Sequence, residues 1–212
     1  MLDAAPMRII AGTLKGRTIR TPEGSNTRPT SDRARESLFN VLAHADWAPG
    51  LEGARVIDAF AGSGALGFEA ISRGAAFCLF VETEAAARGC IRDNVEAFQL
   101  FGNTRIHRRS ATDLGPKPAG LGALFDLVFM DPPYRIISDE LPALGRLLAA
   151  LATRGGYLVL ESASAAPATA YDDVLRSASD RSFALVKQRA YGDTMITLWE
   201  RVDAEEDAQD GS

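Results

Sequence analysis

Two periodicities divide this chain. Short apolar runs bounded by Gly, Pro and charged residues read as strands, and longer segments with apolar positions every three or four residues read as helices. From residue 55 the two alternate. Residues 55–60 form a strand, Gly62-Ser63-Gly64 a turn, and 65–73 a helix stopped by Gly74. A strand at 76–81, a helix at 84–100 and a short strand at 104–107 follow. Residues 115–122, with two Pro and three Gly, curtail or replace the next helix. A fourth strand occupies 125–130. A helix at 139–152 carries Leu141, Leu144, Leu147, Leu148 and Leu151 on one face, and a fifth strand follows at 155–160. Residues 182–189 and 194–200 then alternate around Tyr191-Gly192-Asp193, an antiparallel hairpin. The fold class is α/β: a mainly parallel twisted sheet with helices on both faces, closed by that hairpin.

Upstream, 8–11 and 17–20 flank Gly12-Thr13-Leu14-Lys15-Gly16 and predict a small β-hairpin. Residues 21–29 read as loop. Ser31 or Asp32 caps a helix bearing Ala34, Leu38, Val41 and Leu42, ended by Pro49-Gly50. The pattern thus separates an N-terminal extension (1–50), an α/β body (51–202) and a tail (203–212). Residues 1–6 are expected to be a disordered leader or to precede the true start, since Met7 serves as well as Met1.

With 212 residues, 46% apolar and 24% charged, the chain has an ordinary globular composition. It can bury roughly 70% of its unfolded surface, so no staple is needed. Cys78 and Cys90 are too few for a disulfide framework or a structural zinc site, and His44 and His107 lack partner patterns. A reducing, cytoplasmic setting is expected, with no metal. No apolar run reaches about 18 residues, so no membrane association is expected. The net charge is −5, but it is unevenly spread. Arg8, Lys15, Arg17, Arg20, Arg28, Arg33 and Arg35 outnumber Asp3, Glu23 and Asp32 in residues 1–35, whereas 203–212 hold five acids and no base. The basic segment is a candidate phosphate-binding surface or a solvated, Arg-rich hairpin; the acidic tail has no apolar pattern and is expected to be disordered.

Gly62-Ser63-Gly64-Ala65-Leu66-Gly67 is a G-x-G-x-x-G loop between strand and helix, suited to an adenosine cofactor. Its neighbours select which one. Asp58, four residues earlier, would repel the pyrophosphate of NAD and suits a cationic ligand end, such as the ammonium of S-adenosylmethionine. Phe60 supplies an apolar wall, and Glu82, ending the next strand, suits ribose hydroxyls. Asp131-Pro132-Pro133-Tyr134 follows the fourth strand. Two prolines fix φ and remove N–H donors, leaving a rigid turn rich in acceptors. Asp131 and the Pro132 carbonyl can accept an exocyclic amino group, and Tyr134 can stack on its base.

These residues resemble the class I S-adenosylmethionine-dependent amino-methyltransferases. The N-terminal block Met7-Arg-Ile-Ile-Ala-Gly12, Lys15-Gly-Arg17 and Arg28-Pro-Thr-Ser-Asp-Arg-Ala-Arg-Glu-Ser-Leu-Phe-Asn40 resembles the RsmD family of bacterial 16S ribosomal RNA guanine-N2 methyltransferases, over residues 7–200. The resemblance implies a Rossmann-like methyltransferase fold. Asp131, Pro132, Pro133 and Tyr134 are then catalytic. Asp58, Phe60, Gly62, Ser63, Gly64, Glu82 and Asp131 hold S-adenosylmethionine (product S-adenosylhomocysteine), and Arg8, Lys15, Arg17, Arg28, Arg33 and Arg35 meet ribosomal RNA or the assembling small subunit. A monomer is expected. One departure stands out: where the family often shows an acid or Asn near the cofactor adenine, this chain has Arg109-Ser110-Ala-Thr-Asp113, leaving Ser110 as the candidate contact. The alternatives are a DNA adenine or cytosine amino-methyltransferase, a ribosome-assembly factor with a vestigial pocket, and a dehydrogenase. A DNA enzyme needs a recognition domain for which the body has little room, and Asp58 disfavours a dehydrogenase.

Overall fold

A computed structural model describes residues 6–23, 32–48, 50–114, 124–132, 152–163, 182–191 and 194–202. A seven-stranded sheet is built from β1 (Arg55–Asp58), β2 (Phe77–Val81), β3 (Thr104–His107), β4 (Phe125–Met130), β5 (Ala152–Ala163), β6 (Ser182–Tyr191) and β7 (Thr194–Val202), in the order β3-β2-β1-β4-β5-β7-β6. β1 to β5 pair in parallel, and β7 runs antiparallel between β5 and β6. Helices α1 (Asp32–His44), α2 (Ala65–Ser72) and α3 (Ala85–Phe98) accompany it.

The central strands are apolar on both sides because both faces are covered. Val56, Phe80, Phe129 and Val159 face one cluster, with Phe39 of α1, Phe68 of α2 and Ile91 of α3. Ile57, Leu79, Val128 and Leu158 face the other. α2 buries every residue from Leu66 to Ser72, as a helix that is apolar nearly all round must. Phe68 packs tilted against Phe80 with ring centroids 4.8 Å apart, and Phe39 likewise against Phe129 at 5.4 Å.

The N-terminal hairpin closes, but through one isolated bridge and a few backbone bonds rather than through strands at 8–11 and 17–20. Arg8 bridges Thr18, and the Ile9 N–H donates to the Arg17 carbonyl at 3.0 Å. It is bolted to the body by buried polar groups. Glu69 of α2 accepts the N–H groups of Ile10 (2.7 Å) and Ala11 (3.0 Å), and also Arg73 Nε (2.7 Å). Ser72 Oγ accepts the Leu14 N–H, and Asn94 of α3 pairs with both backbone groups of Arg20. Ile9 and Ile19 lie in the same cluster as Val56, so the core runs across residue 50.

The sequence reading needs three further corrections. β1 ends at Asp58 rather than at Phe60, where the chain leaves the ladder for the glycine loop. Ala152 pairs with Phe125 as the first residue of β5, so it cannot end a helix; the ladder extends β5 beyond the 155–160 run at both ends. Tyr191 belongs to β6, opposite Thr194. The rest of the 139–152 helix, the 115–122 segment, residues 1–5 of the 1–6 leader and the acidic tail fall outside the described residues.

Candidate active site

Parallel strands bring their carboxyl ends to one edge, and the loops leaving them lie together there. Asp58 aligns with Phe80 on one side and Phe129 on the other. Two backbone bonds hold the next residues in place: the Ala59 N–H donates to the Phe129 carbonyl (2.9 Å) and the Ala61 N–H to the Val81 carbonyl (3.1 Å). The glycine loop therefore sits between Glu82, one residue past β2, and Asp131, one residue past β4.

Within the loop, Gly62 (φ 53°) and Gly64 (φ 84°) occupy the left-handed region that favours glycine. A Cβ on Gly62 would meet nothing within 4 Å, so this backbone faces open space. A Cβ on Gly67 would lie 2.3 Å from Phe80 Cε1 and 2.6 Å from Cys78 Sγ. Gly67 thus lets α2 sit directly on β2, while Gly62 leaves its own approach clear.

Asp58 is 2% exposed, and its Oδ2 accepts the Gly67 N–H at 3.0 Å. Burial raises its pKa to about 7; the Gly67 bond opposes the rise, and the nearby charge of Glu82 adds to it. Glu82 is half-buried and accepts two backbone N–H groups, Gly62 at 2.8 Å and Glu84 at 2.7 Å. Both acids brace the loop as well as facing it. A cationic group beside Asp58 would offset this burial and favour its carboxylate form.

Ser63 Oγ donates to Met7 Sδ at 3.5 Å, so the hairpin contacts the glycine loop itself, and Asn94 Nδ2 of α3 lies 3.5 Å from the Ser63 carbonyl. Phe60 and Asp131 are half-buried and Pro132 is buried at the same edge. Ser110, after β3, pairs with Thr112 Oγ1 at 2.8 Å and closes its own turn. Pro133 and Tyr134 lie outside the described residues, as does Arg28. Burial and the cations Arg109 and Arg105 lower the pKa of His107, and its Nε2 is buried with no hydrogen-bond partner among the described residues. Burial and Asp58 push the Cys78 thiol well up, which keeps it unreactive.

The basic residues divide. Lys15 and Arg33 are exposed. Arg8 is exposed and donates to the Gly16 carbonyl. Arg17 donates to the Ala97 carbonyl at 2.6 Å and lies 5.2 Å from the Phe98 ring centroid, so it ties the hairpin to α3. Arg35 is fully buried and donates to the Arg8 carbonyl at 2.7 Å. The docking role expected for Arg35 is therefore corrected: no phosphate can reach it, and it holds α1 to the hairpin. Glu69, Ser72 and Asn94 escaped the sequence reading because a polar residue inside a helix shows no sign of which distant backbone it will satisfy. Among the described residues no three His, Cys, Asp or Glu gather as metal ligands, and no helix is long and apolar enough to cross a membrane.

A sheet ordered 3-2-1-4-5-7-6 with the seventh strand reversed, bearing a glycine loop after β1, an acid at the end of β1 and acids just past β2 and β4, is the class I methyltransferase fold. The chain belongs to the RsmD family: the sequence profile of that family, described as conserved hypothetical protein 95, matches residues 7–200. A Bacillus subtilis protein named putative rRNA methyltransferase YlbH is 37% identical over 142 residues, 67% of this chain and 73% of that one. The Escherichia coli protein named ribosomal RNA small subunit methyltransferase D is 40% identical over 129 residues, and this match spans 61% of each chain, under two thirds of the relative's length. A solved structure of a putative methyltransferase from Escherichia coli, yhhF, is 30% identical with a TM-score of 0.72, covering 94% of this chain and 99% of its own.

Proposed function

We propose that the chain transfers a methyl group from S-adenosylmethionine to the exocyclic N2 of a guanine in small-subunit ribosomal RNA. The observation that carries this reading is the placement of Asp58, the glycine loop, Glu82 and Asp131 side by side at one sheet edge, fixed by the Ala59 and Ala61 N–H bonds. The donor set fits the cofactor: a buried acid for a cationic end, an open glycine backbone, and a half-buried acid for ribose hydroxyls. The relatives' names supply the ribosomal RNA class, and the resemblance of 7–40 supplies guanine N2.

Bound S-adenosylmethionine supplies an electrophilic methyl group. The chain's own residues position the acceptor. Asp131 and the Pro132 carbonyl accept the N–H bonds of the amine, which frees its lone pair from the ring, and Tyr134 stacks on the base. No strong base is required, because an alkylated amine is acidic and loses its proton readily. Positioning of this kind can supply roughly 7–11 kcal/mol of the barrier. The target base must be unstacked or already single-stranded.

The test is tritiated-methyl incorporation into unmodified small subunits, naked 16S ribosomal RNA and DNA, followed by identification of the modified base. Label in N2-methylguanine of ribosomal RNA is expected. Label in DNA, or in another RNA base, would overturn the reading.

A further inference from the structure

β6 forms one end of the sheet. It reads Ser-Phe-Ala-Leu-Val-Lys-Gln-Arg-Ala-Tyr, with two bases and no acid, in a chain of net charge −5. Edge strands often carry Lys simply to discourage pairing, so charge alone decides nothing. The register says more. Leu185 lies opposite Trp199 and Lys187 opposite Leu198, which leaves Val186 as an extra, bulged residue. Before the bulge, Phe183 joins the cluster that contains Trp199. After it, Lys187, Arg189 and Tyr191 share the other face, beside Leu198, Ile196 and Thr194. Strict alternation would have sent them to the Trp199 side.

The face they occupy is the one α1 covers. Lys187, Arg189 and Tyr191 line a shallow groove together with Leu38 and Val41 of α1, over the buried Ile196 and Leu198. Arg189 is exposed, and its guanidinium lies 5.5 Å from the centroid of the Tyr191 ring. A cation and a guanidinium–aromatic pair are the parts that hold a single strand of nucleic acid: charge for phosphates, an aromatic face for bases. The groove also points the right way. β7 reverses β5 and β6 reverses β7, so β6 ends with Tyr191 at the same sheet edge as Asp58, Glu82 and Asp131.

We infer that this groove is a second RNA contact, holding a single-stranded segment of the substrate beside the active site with Lys187 and Arg189 on phosphates and Tyr191 against a base. The inference rests on the ribosomal RNA reading above. It assigns the bulge in β6 a purpose: to turn three RNA-binding side chains onto one face.

The experiment measures binding of the full chain to unmodified 16S ribosomal RNA between 50 and 200 mM salt, for the wild type, a Lys187→Gln/Arg189→Gln double variant and the charge-preserving Lys187→Arg/Arg189→Lys. The double Gln variant is expected to bind more weakly, with a log–log salt slope shallower by about 1.4–1.8 for two phosphate contacts. The charge-preserving variant should keep the wild-type slope. Melting temperature and S-adenosylhomocysteine affinity should not move, which separates this outcome from misfolding. A Gln variant with the wild-type slope and affinity overturns the inference and leaves the ribosomal RNA reading standing. A wild type that binds no ribosomal RNA overturns both. Unchanged binding to naked RNA with lost methylation of assembled subunits would assign the groove to a subunit protein, and also overturns it.

Discussion

Asp58 is where sequence, fold and chemistry meet in one side chain. Its backbone ends β1, its burial raises its pKa to about 7, and the Gly67 N–H gives its carboxylate one partner. The linkage has a definite sign. A carboxyl whose folded pKa exceeds its ordinary 3.8 binds protons more tightly when folded. Its stabilising contribution is complete below about 3.8 and is lost as pH rises through about 7. The cofactor-free chain should therefore lose melting temperature between those pH values, and Asp58→Asn should remove that part of the dependence. Cofactor affinity should run the other way, rising from pH 6 to pH 8 as the carboxyl ionises, with Asp58→Asn weak and flat; calorimetry at several pH values checks both halves. Glu82 is a different case, because its two oxygens satisfy Gly62 and Glu84. Glu82→Ala should cost about 1–3 kcal/mol through those unpaired groups and the lost ribose contact, seen in both melting and cofactor titration. On the proposed mechanism, which gives the bonds of Asp131 chiefly to the acceptor amine, Asp131→Ala should cut turnover heavily while S-adenosylhomocysteine affinity stays near wild type.

At the scale of elements, α2 shows why a weak motif becomes a strong one in context. G-x-G-x-x-G alone states only that a tight turn is possible. In the folded chain its glycines divide the work: Gly62 leaves space above the loop, and Gly67 brings α2 onto Phe80 and Cys78. Gly67→Ala should cost about 1–3 kcal/mol by overpacking and tilt the loop, lowering denaturant midpoint and cofactor affinity together. The loop, its acids and the strands around them were legible because they are local: apolar runs of the right length, and charged residues at their ends. The pattern makes β5 too short because its first residues, Ala152 to Arg154, are not an apolar run; their place in the ladder comes from Phe125 across the sheet. The bulge at Val186 was hidden for the same reason, since it exists only in the register against β7. Glu69 and Asn94 belong with these. Each satisfies backbone groups nearly sixty or more positions away, and nothing in helix periodicity marks that role.

For the whole molecule, the sequence separates a basic N-terminal extension from a catalytic body, and the structure gives the two one core. Ile9, Ile19, Leu38 and Phe39 pack with Val56, Phe68 and Phe129, and the hairpin touches the glycine loop through Met7 and Ser63. If the extension meets RNA as proposed, it cannot swing independently of the site it serves, which suits a reaction that depends on positioning. It also means that the basic residues of the extension cannot all be RNA ligands. Arg33 and Arg35 stand two residues apart on α1, one exposed and the other fully buried on the Arg8 carbonyl. They should answer different experiments. Arg33→Gln should leave melting unchanged and make the salt slope of ribosomal RNA binding shallower by about 0.7–0.9, the share of one phosphate contact. Arg35→Gln removes a buried charged donor, a loss of about 1–3 kcal/mol, and should lower the melting temperature by roughly 2–4 °C for each kcal/mol in a chain of this size. The protein that remains folded should bind RNA with the wild-type slope. If Arg35→Gln instead flattened the slope without lowering the melting temperature, the buried arginine would be reaching phosphate after all, and α1 would have to move away from the hairpin when RNA binds.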